Sequence, residues 1–319
     1  MRQSKIKSIV TKLIILTLLI CTSSVINAGE PCCHLLICCR SNNNGIKFQV
    51  NGEWNPAHNY GDINQVQDIL QKIKDAGIHT VIVDMTNASQ WTKYWDEFEP
   101  MINNIQKVCG EKQMQYFLFI GASLSDDIIK ETGIRSDPFT FWNKKAAYIL
   151  NTWAKNPAYR KYGFGDDRPM LLAFQPSEMY WKSFNEAPDN KKNFLSKFHI
   201  GTTQVNDPIL PGASDGWGYR NYSQSVDGKV RFVSPNAGVP PGEWKRISRE
   251  NWQNRVEWAS EAGEYSIYGS YDDVCDAIHW GIADTKDCKI AFKKYPNDDP
   301  YFYYTVVKNI LTKNKSGKK

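Results

Sequence analysis

Three carboxylates, Asp272, Asp273 and Asp276, lie within five residues in the stretch SIYGSYDDVCDAIHWGIAD, directly after an apolar and aromatic run that ends at Gly269 and Ser270. A turn of helix after that run would bring Asp273 and Asp276 to one side. Close carboxyl groups raise one another's proton affinity, leaving one as an acid and the other as a base. Glycoside hydrolysis needs such a pair, one carboxyl to protonate the leaving oxygen and one to act as base or nucleophile. The same residues also suit a plain structural role, with Asp272 or Asp273 capping a helix and Asp276 favouring its first turn. Their use as Ca²⁺ ligands ranks last, because the spacing lacks the glycine and glutamate of an EF-hand loop. No metal and no cofactor are expected.

These acids have company. Other apolar runs also end in polar groups, at Asp84 and Asn87, at Gln175 and Glu178, at Asn206 and Asp207, and at Asn236. With Tyr271 and Asp272, these residues are expected to line a face that binds hydroxyl-rich ligands. The eleven tryptophans supply rings for stacking on such a ligand. Trp91, Tyr180, Trp217 and Tyr219 fall in the stretches between elements, and DGWGYRNYS adds the Arg220 fork and side-chain amides. The plain alternatives remain open. Glu178 also reads as a solvated loop charge, and His34 as a buried histidine whose hydrogen bonds are satisfied. Trp153, Trp252 and Trp258 read as helix residues packed on a core.

To position these ends, the chain alternates apolar runs with amphipathic helices. HLLICC is followed by DINQVQDILQKIKDAG, where Ile63, Val66, Ile69, Leu70 and Ile73 fall at helical spacing and Gly77 is the stop. HTVIVDMTN, QYFLFIGA, RPMLLAFQP, KFHIGTTQVN, VRFVSPNAG and EYSIYGS read as further strands. Helices are predicted over EFEPMINNIQKVCGE, DPFTFWNKKAAYILNTWAKN, RENWQNRVEWASEAG and PYFYYTVVKNILTK. Continuous apolar strands separated by helices imply a parallel sheet covered on both faces. About eight such units in one domain favour a closed (β/α)8 (TIM) barrel, whose function sits at the C-terminal strand ends. No glycine-rich phosphate loop follows a strand, which weighs against a nucleotide-binding open sheet.

Residues 1–28 have the order of a secretory signal peptide: basic residues Arg2, Lys5, Lys7 and Lys12, an apolar core from Leu13 to Cys21, then small and polar residues to Ala28. The expected organisation is therefore a leader over 1–28 and one domain over 29–319. Secretion or periplasmic export follows, with no membrane span in the mature chain. A net charge of +5 over 319 residues, partly in the leader and the Lys-rich tail, gives no basic stripe for nucleic acid. Of the eight cysteines, CCHLLICC reads as buried thiols in a strand rather than a metal cluster. Cys275 and Cys288 could close a loop behind the acids. Export makes disulfides chemically reasonable.

The stretches GEWNPAHNYGDINQVQDILQKIKDAGIHTVIVDMTN, NTWAKNPAYRKYGFGDDRPMLLAFQP and residues 266–284 together resemble the barrels of glycoside hydrolase families 71 and 99. The resemblance covers most of residues 46–312 in the order and type of elements. It implies a carbohydrate substrate, with cleavage of an α-linked glucan, mannan or related glycan. Asp276 falls at the family's second acid and Asp273 at the first. Asp276 stands where the pattern has Glu, and Asp272 where it has Asn. The alternative from another class is a non-catalytic carbohydrate-binding barrel that keeps the rings and amides without turnover.

Overall fold

A computed structural model describes residues 30–37, 49–50, 53–54, 60–85, 95–120, 138–163, 166–173, 194–202, 222–224, 230–233, 249–262, 265–271 and 302–316. The strands are β1 (Glu30–Leu36), β2 (Gln49–Val50), β3 (Glu53–Trp54), β4 (Thr80–Asp84), β5 (Gln115–Ile120), β6 (Lys161–Gly163), β7 (Asp166–Ala173), β8 (His199–Thr202), β9 (Tyr222–Gln224), β10 (Val230–Val233) and β11 (Tyr265–Tyr271). The helices are α1 (Ile63–Asp75), α2 (Trp95–Lys112), α3 (Pro138–Asn151), α4 (Arg249–Ala262) and α5 (Phe302–Ser316).

Helix α1 shows how local chemistry sets these boundaries. Asp62 caps its start, its side chain accepting from Asn64 N at 2.9 Å. At its end Gly77 adopts φ +87°. Gly77 N donates to Lys74 O, and Ile78 N reaches back to Ile73 O. This is a Schellman closure, which needs a residue free to take positive φ. Val66, Ile69, Leu70 and Ile73 are buried, and α1 packs against α2.

The main sheet runs β8-β7-β5-β4-β1-β11-β10-β9, with β6 antiparallel to the first half of β7. From β8 to β10 every pairing is parallel. From β1 through β4, β5 and β7 to β8 each parallel strand lies beside its predecessor in the chain; β10 lies instead beside its successor β11, and β11 lies beside β1. A doubly wound open sheet instead reverses its order at a switch point. This sheet is singly wound.

It is also strongly curled. Side chains of residues 80, 82 and 84 share one face with Gln115, Phe117 and Phe119, and with the Tyr265 end of β11. In a flat sheet the three strand steps from β5 to β11 span about 14 Å. The Phe117 and Tyr265 rings nevertheless meet with centroids 6.4 Å apart. Tyr162 spans a wider gap, stacking on His199 of β8 at 3.5 Å and lying 6.1 Å from Tyr265. β8 and β9, at the two ends of the strand path, lie side by side.

The opposite face carries the helices. Tyr116 donates its hydroxyl toward Gln106 of α2 and the Trp153 carbonyl. Trp153 and Trp252 are buried, and Trp258 is partly buried against the same core. Burial on both faces explains why the strands read as unbroken apolar runs.

Three features depart from the regular strand–helix alternation read from sequence. The short strands β2 and β3 form a separate antiparallel pair. β6 folds back on β7. β9 pairs antiparallel with β10, where a regular barrel has a parallel neighbour. The leader expected over residues 1–28 lies outside the described residues. No described helix is long and apolar enough to cross a membrane.

Candidate functional site

The two ends of the sheet carry different polar chemistry. At the N-terminal end Arg160 pairs with Glu30 and donates to Gln115 Oε1 at 3.0 Å, while the Thr80 hydroxyl also bonds Glu30. The group ties β1, β4 and β5 together beside the Tyr265 hydroxyl, which donates to Tyr162 O at 2.5 Å. In α/β barrels this end serves stability. Desolvation dominates here and pushes the Tyr265 phenol well above its ordinary range.

At the C-terminal end stands a buried imidazole–carboxylate pair. His34 Nε2 and Asp84 Oδ2 are 2.6 Å apart, with side chains only 1% and 6% exposed. His34 lies in register with Ile82, so Asp84 is two residues nearer the strand ends, and the ring reaches it diagonally. The ring and Phe119 stand in a T-shaped arrangement, centroids 6.3 Å apart. The Asp84 backbone is held from both sides. Its carbonyl accepts from Ile37 N at 3.1 Å, and the next amide, Met85 N, donates to Phe119 O at 2.8 Å. With Asp84 ionised, Nε2 carries the proton and donates, and the carboxylate plane is fixed by a charge-assisted bond.

Of the residues expected to carry chemistry, Asp84 and Tyr271 fall among the described ones. Asp84 closes β4. Tyr271 closes β11 with its backbone paired to Leu35 of β1, so both strands end on the same side of the sheet. Asp273 and Asp276, the expected catalytic pair, lie outside the described residues. So do Asn87, Trp91, Gln175, Glu178, Tyr180, Asn206, Asp207, Trp217, Tyr219, Arg220, Asn236 and Asp272. Cys38, Cys39, Cys275 and Cys288 lie outside as well. Cys32, Cys33 and Cys109 are buried, and burial raises the Cys32 and Cys109 thiols above their usual range.

The residue that sequence reasoning left aside is His34. It is buried, as its apolar surroundings predict, but its partner is an acid at another strand's end. A signal was present: His34 and Asp84 are polar interruptions of two otherwise apolar runs. What was missing was the register that makes those runs neighbours.

No protein-family model and no curated protein matches the chain. Among solved structures, it is similar to a GH99 endo-alpha-mannosidase from Bacteroides thetaiotaomicron, with 13% identity and a TM-score of 0.49 over 81% of this chain and 83% of that one. An alpha-L-fucosidase from Lactobacillus casei aligns with 9% identity and a TM-score of 0.43, over 92% and 98% of the two chains. An alpha-fucosidase from Thermotoga maritima aligns with 11% identity and a TM-score of 0.41, over 79% of this chain and 56% of its own.

Proposed function

We propose that this chain is an exported glycoside hydrolase-like protein, closed into a (β/α)8-type barrel, that cleaves an α-linked polysaccharide or glycan. Asp276 acts as general acid and Asp273 as base or assisting carboxylate. The observation that carries the reading is the buried Asp84 carboxylate, held by His34, at the C-terminal end of a singly wound parallel sheet. Barrels of this kind build their sites at that end. In the sequence the acids follow immediately, since Asp272 and Asp273 come directly after Tyr271, the last residue of β11. The curl of the sheet and the adjacency of first and last strands support closure.

In this reading the pair divides the work of one step. The protonated acid gives its proton to the departing glycosidic oxygen as the bond lengthens. The second carboxylate supports the developing oxocarbenium charge, activating water or assisting its attack. Asp84, Glu178, Asn206, Asp207 and Asn236 accept and donate to sugar hydroxyls, and Trp91, Trp217 and Tyr219 cover ring faces.

The test is release of reducing ends from a panel of α- and β-linked polysaccharides by the full chain and by Asp276→Asn. General-acid loss should lower turnover by roughly 10²- to 10⁴-fold with folding intact. An unchanged rate in this variant would remove Asp276 from catalysis. Binding without any release by the unmodified chain would favour the glycan-binding alternative.

A further inference from the structure

We propose that residues 158–163 are a strap that holds the curled sheet shut at its N-terminal end, and that releasing it opens the seam between β8 and β9 ahead of the rest. The strap acts whether or not a glycan binds at the opposite end.

Its backbone is a wedge. Among the described residues, β5 and β7 pair directly only from Leu118 with Leu171 to Ile120 with Ala173. Nearer their N-terminal ends the strap lies between them. On one side Tyr116 N donates to Ala158 O at 3.0 Å, and Arg160 N donates to Tyr116 O at 2.7 Å. On the other, Met170 N donates to Arg160 O at 2.9 Å, and β6 runs antiparallel to β7. A segment inserted there widens that end of the sheet by about 4.8 Å, one strand spacing. The wider end of a curled sheet needs side chains to fill it. Arg160 and Tyr162, two residues apart and so on one face of the segment, supply them. Arg160 pairs with Glu30 of β1 and donates to Gln115 of β5.

Tyr162 reaches across the seam. Along the hydrogen-bonded path β8 and β11 are five strand steps apart, about 24 Å in a flat sheet. Tyr162 meets both. Its ring stacks on His199 of β8, with planes 2° apart and centroids at 3.5 Å, and lies 6.1 Å from the Tyr265 ring of β11. Its carbonyl accepts the Tyr265 hydroxyl at 2.5 Å. Among the described residues β8 is laddered to β7 and β9 to β10, and no ladder joins β8 to β9 although they lie side by side. By contrast β4 is laddered on both sides, to β1 and to β5. Strands joined through side chains open at lower free energy than strands paired on both sides.

Native-state hydrogen exchange of the full chain, read amide by amide, tests the strap and the seam separately. In the unmodified chain, β8 and β9 should exchange at least about 10-fold faster than β4 and β5. Tyr162→Ala should quicken β8 and β9 by about 100-fold, the scale of deleting a buried aromatic side chain. Tyr162→Phe, which keeps the ring, should change them by no more than several-fold. Val81→Ala removes fully buried methyls from β4, whose contacts survive an opening of the seam. It should quicken β4 and β5 by about 10-fold and leave β8 and β9 as they were. Exchange of all these strands as one unit, in the unmodified chain or in Val81→Ala, would overturn the seam. Unchanged exchange of β8 and β9 in Tyr162→Ala would overturn the strap. Should that variant not fold, His199→Leu removes the same stack from the other side, and unchanged exchange of β8 and β9 there would overturn the strap equally.

Discussion

Replacing both members of the His34–Asp84 pair should restore much of the stability that replacing either one destroys. In His34→Leu the leucine roughly matches the imidazole in volume, so little packing is lost. Asp84 then keeps a carboxylate that is 6% exposed and has lost its 2.6 Å partner. Removing one member of a buried ion pair costs about 3–5 kcal/mol. The lower end applies here, about 3 kcal/mol, because Asp84 has further interactions besides His34. Asp84→Val alone leaves an imidazole N–H without its acceptor, costing about 1–3 kcal/mol. The double variant leaves neither group and gains a β-branched residue at a strand end, so it should lie within about 1 kcal/mol of the original. The coupling between the two sites is then roughly 3 kcal/mol or more, well above the additivity error of independent sites. Urea unfolding of the four proteins at pH 7 measures it. A double variant whose loss equals the sum of the single losses would refute the argument that the pair is dispensable to folding.

Two further predictions test the frame. Gly77→Ala should lower stability by about 1–2 kcal/mol, because φ +87° disfavours any Cβ and the new methyl would stand 3.2 Å from the Leu311 Cβ of α5; a melting temperature unchanged or raised would contradict the Schellman closure. The phenols of Tyr116, Tyr159 and Tyr265 are held protonated chiefly by burial; their contribution to stability is complete below the unfolded value near 10 and is lost as pH rises beyond it, so part of the tyrosinate absorbance should appear only together with unfolding, and full ionisation in a chain that keeps its near-UV dichroism would contradict this.

Sequence reading succeeded where one local periodicity decided an element. The apolar spacing of α1 and its Gly77 stop are both local, and the helix, Ile63–Asp75, falls within the stretch they mark. The apolar runs of β4 and β5 became strands because both faces of each are buried, a condition that leaves its mark on successive residues. Elements of two or three residues carry no period. β6 and β9 escaped for that reason, although Tyr162 of β6 bridges rings from β8 and β11. The start of β1 escaped differently. Glu30 and Pro31 do not read as an apolar strand, yet both pair with β11, and the ladder to β4 begins only at Cys32. Pro31 thus stands where it has a strand on one side only, a position that tolerates a missing N–H.

The pair at the strand ends shows why a site is harder to read than a fold. Taken alone, His34 supports one inference from its surroundings, that burial requires a partner. That inference holds, but the partner is 50 residues away. Only the parallel register of β1 with β4 brings the two together, at a diagonal offset that no linear spacing encodes. Asp84, conversely, attracts attention as a polar residue ending an apolar run, and nothing in its own stretch reveals that a histidine occupies one of its oxygens. The reading of Asp84 as a sugar contact therefore changes in kind once the register is known. Its carboxylate is not a freely rotating surface acid but one fixed from below, with the imidazole proton already committed. This constraint ties the orientation of one residue to the topology of the whole sheet.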